Sequence, residues 1–139
     1  MKRIITLVSV GLLTAAMVTS LMSFKEIKKN QPKPWSVPAE YKTKKNPVKA
    51  DAESIEAGKA EYNKSCASCH GKKGLGDGPK AKLIETFPGD FSGEVYQKQT
   101  DGEHFYKTKF GRDEMPGYDK KISDEDIWNM VNYMRTFKK

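Results

Sequence analysis

Cys66-Ala67-Ser68-Cys69-His70 decides what the rest of this chain is built around. Residues i and i+3 share a helix face, so the two thiols point the same way and reach one flat partner together. The next residue then places an imidazole beside them. C-x-x-C-H is the pattern of covalent haem attachment, with Cys66 and Cys69 on the porphyrin vinyl groups and His70 on the iron. Two rival chemistries fit less well. A thioredoxin-like pair needs a βαβ setting, which the flanking sequence lacks. A zinc site made from Cys66, Cys69, His70 and His104 would have to use two adjacent residues on one tetrahedral ion. With only two cysteines, four-thiolate clusters and multi-disulfide scaffolds are excluded.

Outward from this motif the chain reads as helices broken by glycine and proline. Ser54 to Lys64 is expected to be helical, with acids early, a lysine late, and Gly58 as a bare spot where another element comes close. Four glycines from Gly71 to Gly78 enforce a loop. A short helix is expected over Lys80 to Thr86 and a further one over Asp101 to Lys109, ended by Gly111. The last element is the clearest: Ser123 caps it, Asp124, Glu125 and Asp126 fill its first turn, and Ile127, Met130, Val131 and Met134 form its apolar stripe. No sustained period-two alternation appears, so the fold class is all-α, with helices packed around one haem. A domain of about ninety residues buries a thin core unless something large and apolar is placed inside it, and one covalently held haem c supplies that.

A second axial ligand is expected opposite His70. Met130 and Met134 lie four apart on the last helix, where methionine fills core. Met115 differs, because Pro116, Gly111 and Gly117 give its loop an irregular backbone that can approach the ring plane. Soft thioether sulfur suits ferrous iron, so Met115 is the expected distal ligand. His104 is expected on a helix surface or near a propionate, and Arg112 is a candidate propionate partner.

The net charge of +7 suggests nucleic acid until it is mapped along the chain. Residues 51–139 hold 15 basic and 16 acidic side chains, a net of −1, so no basic duplex-binding face is expected and no nucleic-acid partner. The excess lies in residues 1–50. Residues 1–23 begin Met1-Lys2-Arg3 and run apolar from Ile4 to Leu21, the outline of an export signal or an N-terminal membrane anchor. Either places the remainder on the periplasmic side of the cytoplasmic membrane, soluble if residues 1–20 are cleaved and tethered if they are retained. Residues 24–50 read as a Lys/Pro-rich linker whose prolines oppose helix. Trp35, Val37 and Tyr41 in it either fold back on the domain or strap it to a partner. The lysines there can also hold the segment near anionic lipid.

Residues 51–139 resemble class I c-type cytochromes, in particular small bacterial mono-haem forms. The resemblance rests on CASCH at 66–70, Gly-Asp-Gly-Pro-Lys-Ala at 76–81, Gly-Arg-Asp-Glu-Met-Pro-Gly at 111–117 and the terminal helix beginning at Asp126. It implies that Gly58 packs on the terminal helix near Tyr133. It also implies that the Pro79 carbonyl accepts the second ring N–H of His70. A haem closed by His70 and Met115 leaves no position for substrate, so the expected function is single-electron transfer in a respiratory chain, not catalysis. Donor and acceptor would be redox proteins: a quinol-oxidising complex, and a terminal oxidase or another haem enzyme. Two other roles stay open, a haem-bearing subunit of a larger redox enzyme complex, and a haem enzyme or gas-binding site with a labile Met115. Lys72, Lys73, Lys80 and Lys82 flank the attachment loop and are either a basic collar for an acidic partner or a solvated loop.

Overall fold

A computed structural model describes residues 33–139, and their helices start where capping groups allow. The expected export or anchor segment and the first part of the linker lie outside the described residues. α1 (Ala39–Lys42) is a single turn behind Pro38. Proline was expected to keep this stretch extended, but at a helix start its missing N–H is no loss. α2 (Ala52–Ser65) is capped by the Asp51 carboxylate, which accepts from the Ser54 N–H at 3.1 Å. α3 (Ala67–His70) is one more turn after a break at Cys66. The helix expected over Lys80 to Thr86 is a 3-10 turn, Pro79–Leu83. α4 (Glu94–Gln97) is a turn that no sequence pattern announced. α5 (Asp101–Phe110) begins at a reciprocal capping box between Thr100 and Glu103 and stops at Gly111, whose φ is +65°. α6 (Asp124–Arg135) is capped by Ser123, as expected. No strand occurs among the described residues, and Arg112 and Met115 form an isolated bridge. No described helix is long and apolar enough to cross a membrane.

The core forms where α2 crosses α6. Tyr62, Ile127, Met130 and Val131 are fully enclosed, and Phe105 of α5 stacks on Trp128 at 4.1 Å between ring centroids. Each such apolar side chain contributes about 1.5–3 kcal/mol by leaving water. Gly58 lets the two helices meet on bare backbone. A Cβ there would sit 2.0 Å from the Asn129 carbonyl oxygen. The crossing lies one turn before Tyr133, whose ring meets Tyr62 edge-on at 5.4 Å.

Residues 33–48 fold back on the domain instead of hanging free. Val37 is buried. Tyr41 packs against Tyr106 and Phe110, with centroids at 4.9 and 5.8 Å. At Gly102 the strap lies so close to α5 that a Cβ would meet the Tyr41 carbonyl oxygen at 1.9 Å. A buried amide network ties the strap's other end to both long helices. Asn46 donates to the Trp128 carbonyl at 3.1 Å and to Asn132 Oδ1 at 2.8 Å, and Asn132 donates to the Val48 carbonyl and to Ser54 Oγ. Ser54 completes it by donating to Asn129 at 2.7 Å.

Gly58→Ala gains up to about 1 kcal/mol of helix propensity, but it forces the two backbones apart at a cost of about 3 kcal/mol. The net expected result is a loss of roughly 2 kcal/mol in denaturant unfolding. Gly102→Ala should loosen the strap in the same way, read as faster proteolysis between residues 33 and 48. Wild-type stability in Gly58→Ala would contradict this packing account.

Candidate functional site

The break between α2 and α3 falls at Cys66, and the Cys69 and His70 amides both bond back to the Cys66 carbonyl. This tight turn holds the two thiols and the imidazole together. Gly71 and Gly78 allow the following loop to lie against it; a Cβ on Gly78 would strike the Ser68 carbonyl at 2.4 Å. The loop amides close the arrangement, Gly76 N–H on the His70 carbonyl at 2.8 Å and Gly78 N–H on the Cys69 carbonyl at 3.2 Å.

A cavity of about 760 Å³ opens beside this turn, walled by Cys66, His70, Phe91, His104, Met115 and Met130 among others. The structure thus brings three of the four expected haem-holding residues to one space. Cys69, half-buried on the same turn, sits beside the lining, with Ser68 Oγ 4.0 Å from its sulfur. No disulfide joins Cys66 and Cys69. Burial, followed by the nearby Glu61 and Cys69, pushes the Cys66 thiol up to about 12. Met130 and Met134 are core residues, as expected, with Met130 Sδ 3.9 Å from Cys66 Sγ.

Two imidazoles face this cavity with a buried nitrogen that has no hydrogen-bond partner, His70 Nδ1 and His104 Nε2. Burial lowers His70 to about 4, with the backbone of Pro88 pulling weakly the other way. The bond from His70 Nδ1 to the Pro79 carbonyl implied by the family resemblance is absent. Phe91 covers the imidazole instead, at 4.5 Å between centroids. His104 corrects the expectation of a surface residue. It is 2% exposed and stacks on Tyr96 at 4.0 Å. Burial, then Arg135 and Lys107, lowers it to about 3. The polarity of histidine suggested solvent, but its place on the inner face of α5, next to Phe105, puts it inside.

Met115 sits in a loop that closes on itself. Its amide and carbonyl pair with those of Arg112 at 2.9 and 2.8 Å, and Gly111 and Asp113 adopt left-handed backbone, φ +65° and +50°. Glu114 reaches out of this loop and accepts the amides of Glu85 and Thr86 at 2.9 and 3.0 Å. Arg112 donates to the Lys33 and Pro34 carbonyls at 2.9 and 3.0 Å and pairs with Asp113 at 3.2 Å. Arg135, read in the sequence only as a helix-end charge, ties α6 to Asp101 at 2.7 Å and to the carbonyls of Gln97 and Gln99. It thereby fixes the wall carrying Tyr96 and His104. Nothing in the sequence marks Phe91 or Tyr96 as wall residues, because each stands alone in a loop or a single turn.

An apolar cavity lined by Cys66, His70 and Met115, with both thiols on one turn and a buried His70 nitrogen that has no protein partner, fits a covalently bound haem. Residues 53–134 match the family described as cytochrome c oxidase, cbb3-type, subunit III. No curated protein matches the chain. Among solved structures, one from the Kuenenia stuttgartiensis reducing HAO-like protein complex Kustc0457/Kustc0458 is similar at 26% identity and a TM-score of 0.60. That likeness covers 67% of this chain, which spans about half, 47%, of the other. The KustC0563 c-type cytochrome is similar at 26% identity and a TM-score of 0.51, over 59% of this chain and 98% of its own. The chain belongs to the family of cytochrome c oxidase, cbb3-type, subunit III, and its all-α domain is that of a class I c-type cytochrome with covalently bound haem c.

Proposed function

We propose that this chain carries single electrons between redox proteins outside the cytoplasm, using one haem. The observation that carries the proposal is the convergence of Cys66, His70 and Met115 on one cavity. In this reading Cys66 and Cys69 would hold the haem covalently, and His70 and Met115 would ligate its iron. The bound group supplies one-electron iron chemistry. The chain's own residues do the rest. His70 stays neutral, and so able to ligate, throughout the physiological range because burial depresses its proton affinity. Phe91, Met130 and Met134 exclude water, which limits reorganisation when charge changes. With His70 and Met115 both on the iron, none of its positions would remain open to substrate.

Donor and acceptor are redox proteins, with a quinol-oxidising complex on one side and a terminal oxidase or another haem enzyme on the other. The apolar run in residues 1–23 supports placement at the periplasmic face of the cytoplasmic membrane. A second reading, a haem subunit fixed in a larger oxidoreductase, is favoured by the family match to an oxidase subunit and by the similar chain being part of a complex. Size-exclusion chromatography of native membranes solubilised in mild detergent separates the two. A shuttle runs alone, and a fixed subunit runs with its complex.

The visible spectrum of purified holoprotein tests the ligand set. Low-spin iron with a methionine–iron band in the ferric form is expected, and Met115→Ala should turn it high-spin, lower the reduction potential and admit added imidazole. Unchanged spin state in that variant would remove Met115 from the iron. The acid side tests His104. Its unfolded imidazole takes a proton near 6.5 and its folded one near 3, so the unfolded chain holds the extra proton between those values. Stability is full above that window and falls as pH drops through it, by about 2 kcal/mol at pH 5 for this one group. Denaturant unfolding of the holoprotein should show the loss, and His104→Phe should remove most of it.

A further inference from the structure

Arg112 joins two parts of the chain that the sequence keeps apart by more than seventy residues. Its backbone is paired with Met115 in both directions. Its guanidinium lies 4.4 Å from the centre of the Trp35 ring, and its two terminal nitrogens donate to the carbonyls of Lys33 and Pro34. Lys107 adds a second cation 5.9 Å from the same ring. The strap is anchored by buried Val37 two residues on, and farther along by the backbone approach at Gly102 and by the Asn46 network. It is therefore a fixed post, not a passenger on the loop. Lys33, Pro34 and Trp35 also border the cavity that His70 and Met115 face.

The Met115 loop needs such a post. It contains no helix, and two of its residues hold left-handed backbone. Its ends are tied to α5 by the Gly111 amide on the Lys107 carbonyl and by the Tyr118 amide on the Lys109 carbonyl. Between those ends, Glu114 on the Glu85 and Thr86 amides holds one side and Arg112 on the strap holds the other. A planar guanidinium that is stacked and doubly hydrogen-bonded has one orientation, so it fixes the backbone that carries it.

We propose that Trp35 and Arg112 form a clamp by which the N-terminal strap positions Met115, setting how firmly its sulfur is held at the iron. The proposal rests on the reading of Met115 as an axial ligand. The strap is then part of the redox site: the contact acts through Met115, and Trp35 is a positioning residue. Loosening the clamp weakens the methionine bond without removing the methionine. Ferric iron, which holds thioether less well than ferrous iron, loses it first.

The test compares ferric holoprotein carrying Trp35→Ala, Trp35→Phe and Ser123→Ala. Trp35→Ala is expected to weaken the methionine–iron band, to lower by roughly tenfold the imidazole concentration that half-displaces Met115, and to lower the reduction potential. Trp35→Phe keeps a ring face for Arg112 and should recover part of each. Ser123→Ala removes the α6 cap, away from both strap and loop, so it should lower the unfolding temperature while leaving the imidazole midpoint and potential in place. If Trp35→Ala does not fold, Arg112→Lys reads the same quantities, since lysine keeps the charge and loses the double hydrogen bond. Wild-type imidazole midpoint and potential in the Trp35 variant overturn the clamp alone, as does a Ser123→Ala effect on them equal to that of Trp35→Ala. A wild-type protein without the methionine band overturns the ligand reading and the clamp with it.

Discussion

The contact of α2 with α6 at Gly58 is the constraint on which the rest depends. Because no side chain intervenes, the two backbones meet, and the Asn129 carbonyl lies where a Cβ would be. This closeness sets the position of the end of α2, where Cys66 breaks the helix and turns the attachment motif toward the cavity. It also sets the stripe of α6 that backs the cavity, Met130 and Met134. Were the helices held at ordinary packing distance by a side chain, the sulfur of Cys66 would no longer lie 3.9 Å from that of Met130.

Around this crossing the site is assembled from short, irregular pieces. One wall is a loop closed by glycine and by an Arg112–Met115 backbone pair, another is the single turn bearing Tyr96, and a third is the strap that precedes the domain. None of these has enough local hydrogen bonding to be stable alone. Each is pinned by ties to other segments: the Met115 loop by Glu114 on the Glu85 and Thr86 amides and by Arg112 on the strap, α4 and the start of α5 by Arg135, and the strap by buried Val37 and Asn46. A cavity with such walls keeps its shape because charged and polar groups are used as ties, while its interior surface stays apolar.

Much of this was legible in the sequence. Helix starts at Ser123 and helix stops at Gly111 follow from side-chain and backbone chemistry within a few residues, and Cys66-Ala67-Ser68-Cys69-His70 states its own chemistry. The bare spot at Gly58 announced a close crossing, although which residue of α6 met it was settled by packing. Features that depend on distant partners were not legible. His104 is polar and sits on a helix, so burial against Tyr96 could not be read from its neighbours. Arg112 was free to reach a propionate or a backbone carbonyl. Its choice of Lys33 and Pro34 depends on a strap whose docking is decided by Gly102, Asn46 and Val37 together. Proline-rich sequence suggested a spacer, whereas aromatic and amide side chains made it a wall.

The account stands on a porphyrin bonded to the chain itself. Intact mass measurement of the purified, acid-denatured protein tests this most directly. One haem should stay with the polypeptide under conditions that strip any group held only by ligation, and digestion should place it on the peptide containing Cys66 and Cys69. A polypeptide of unmodified mass, with the colour lost to the solvent, would contradict it.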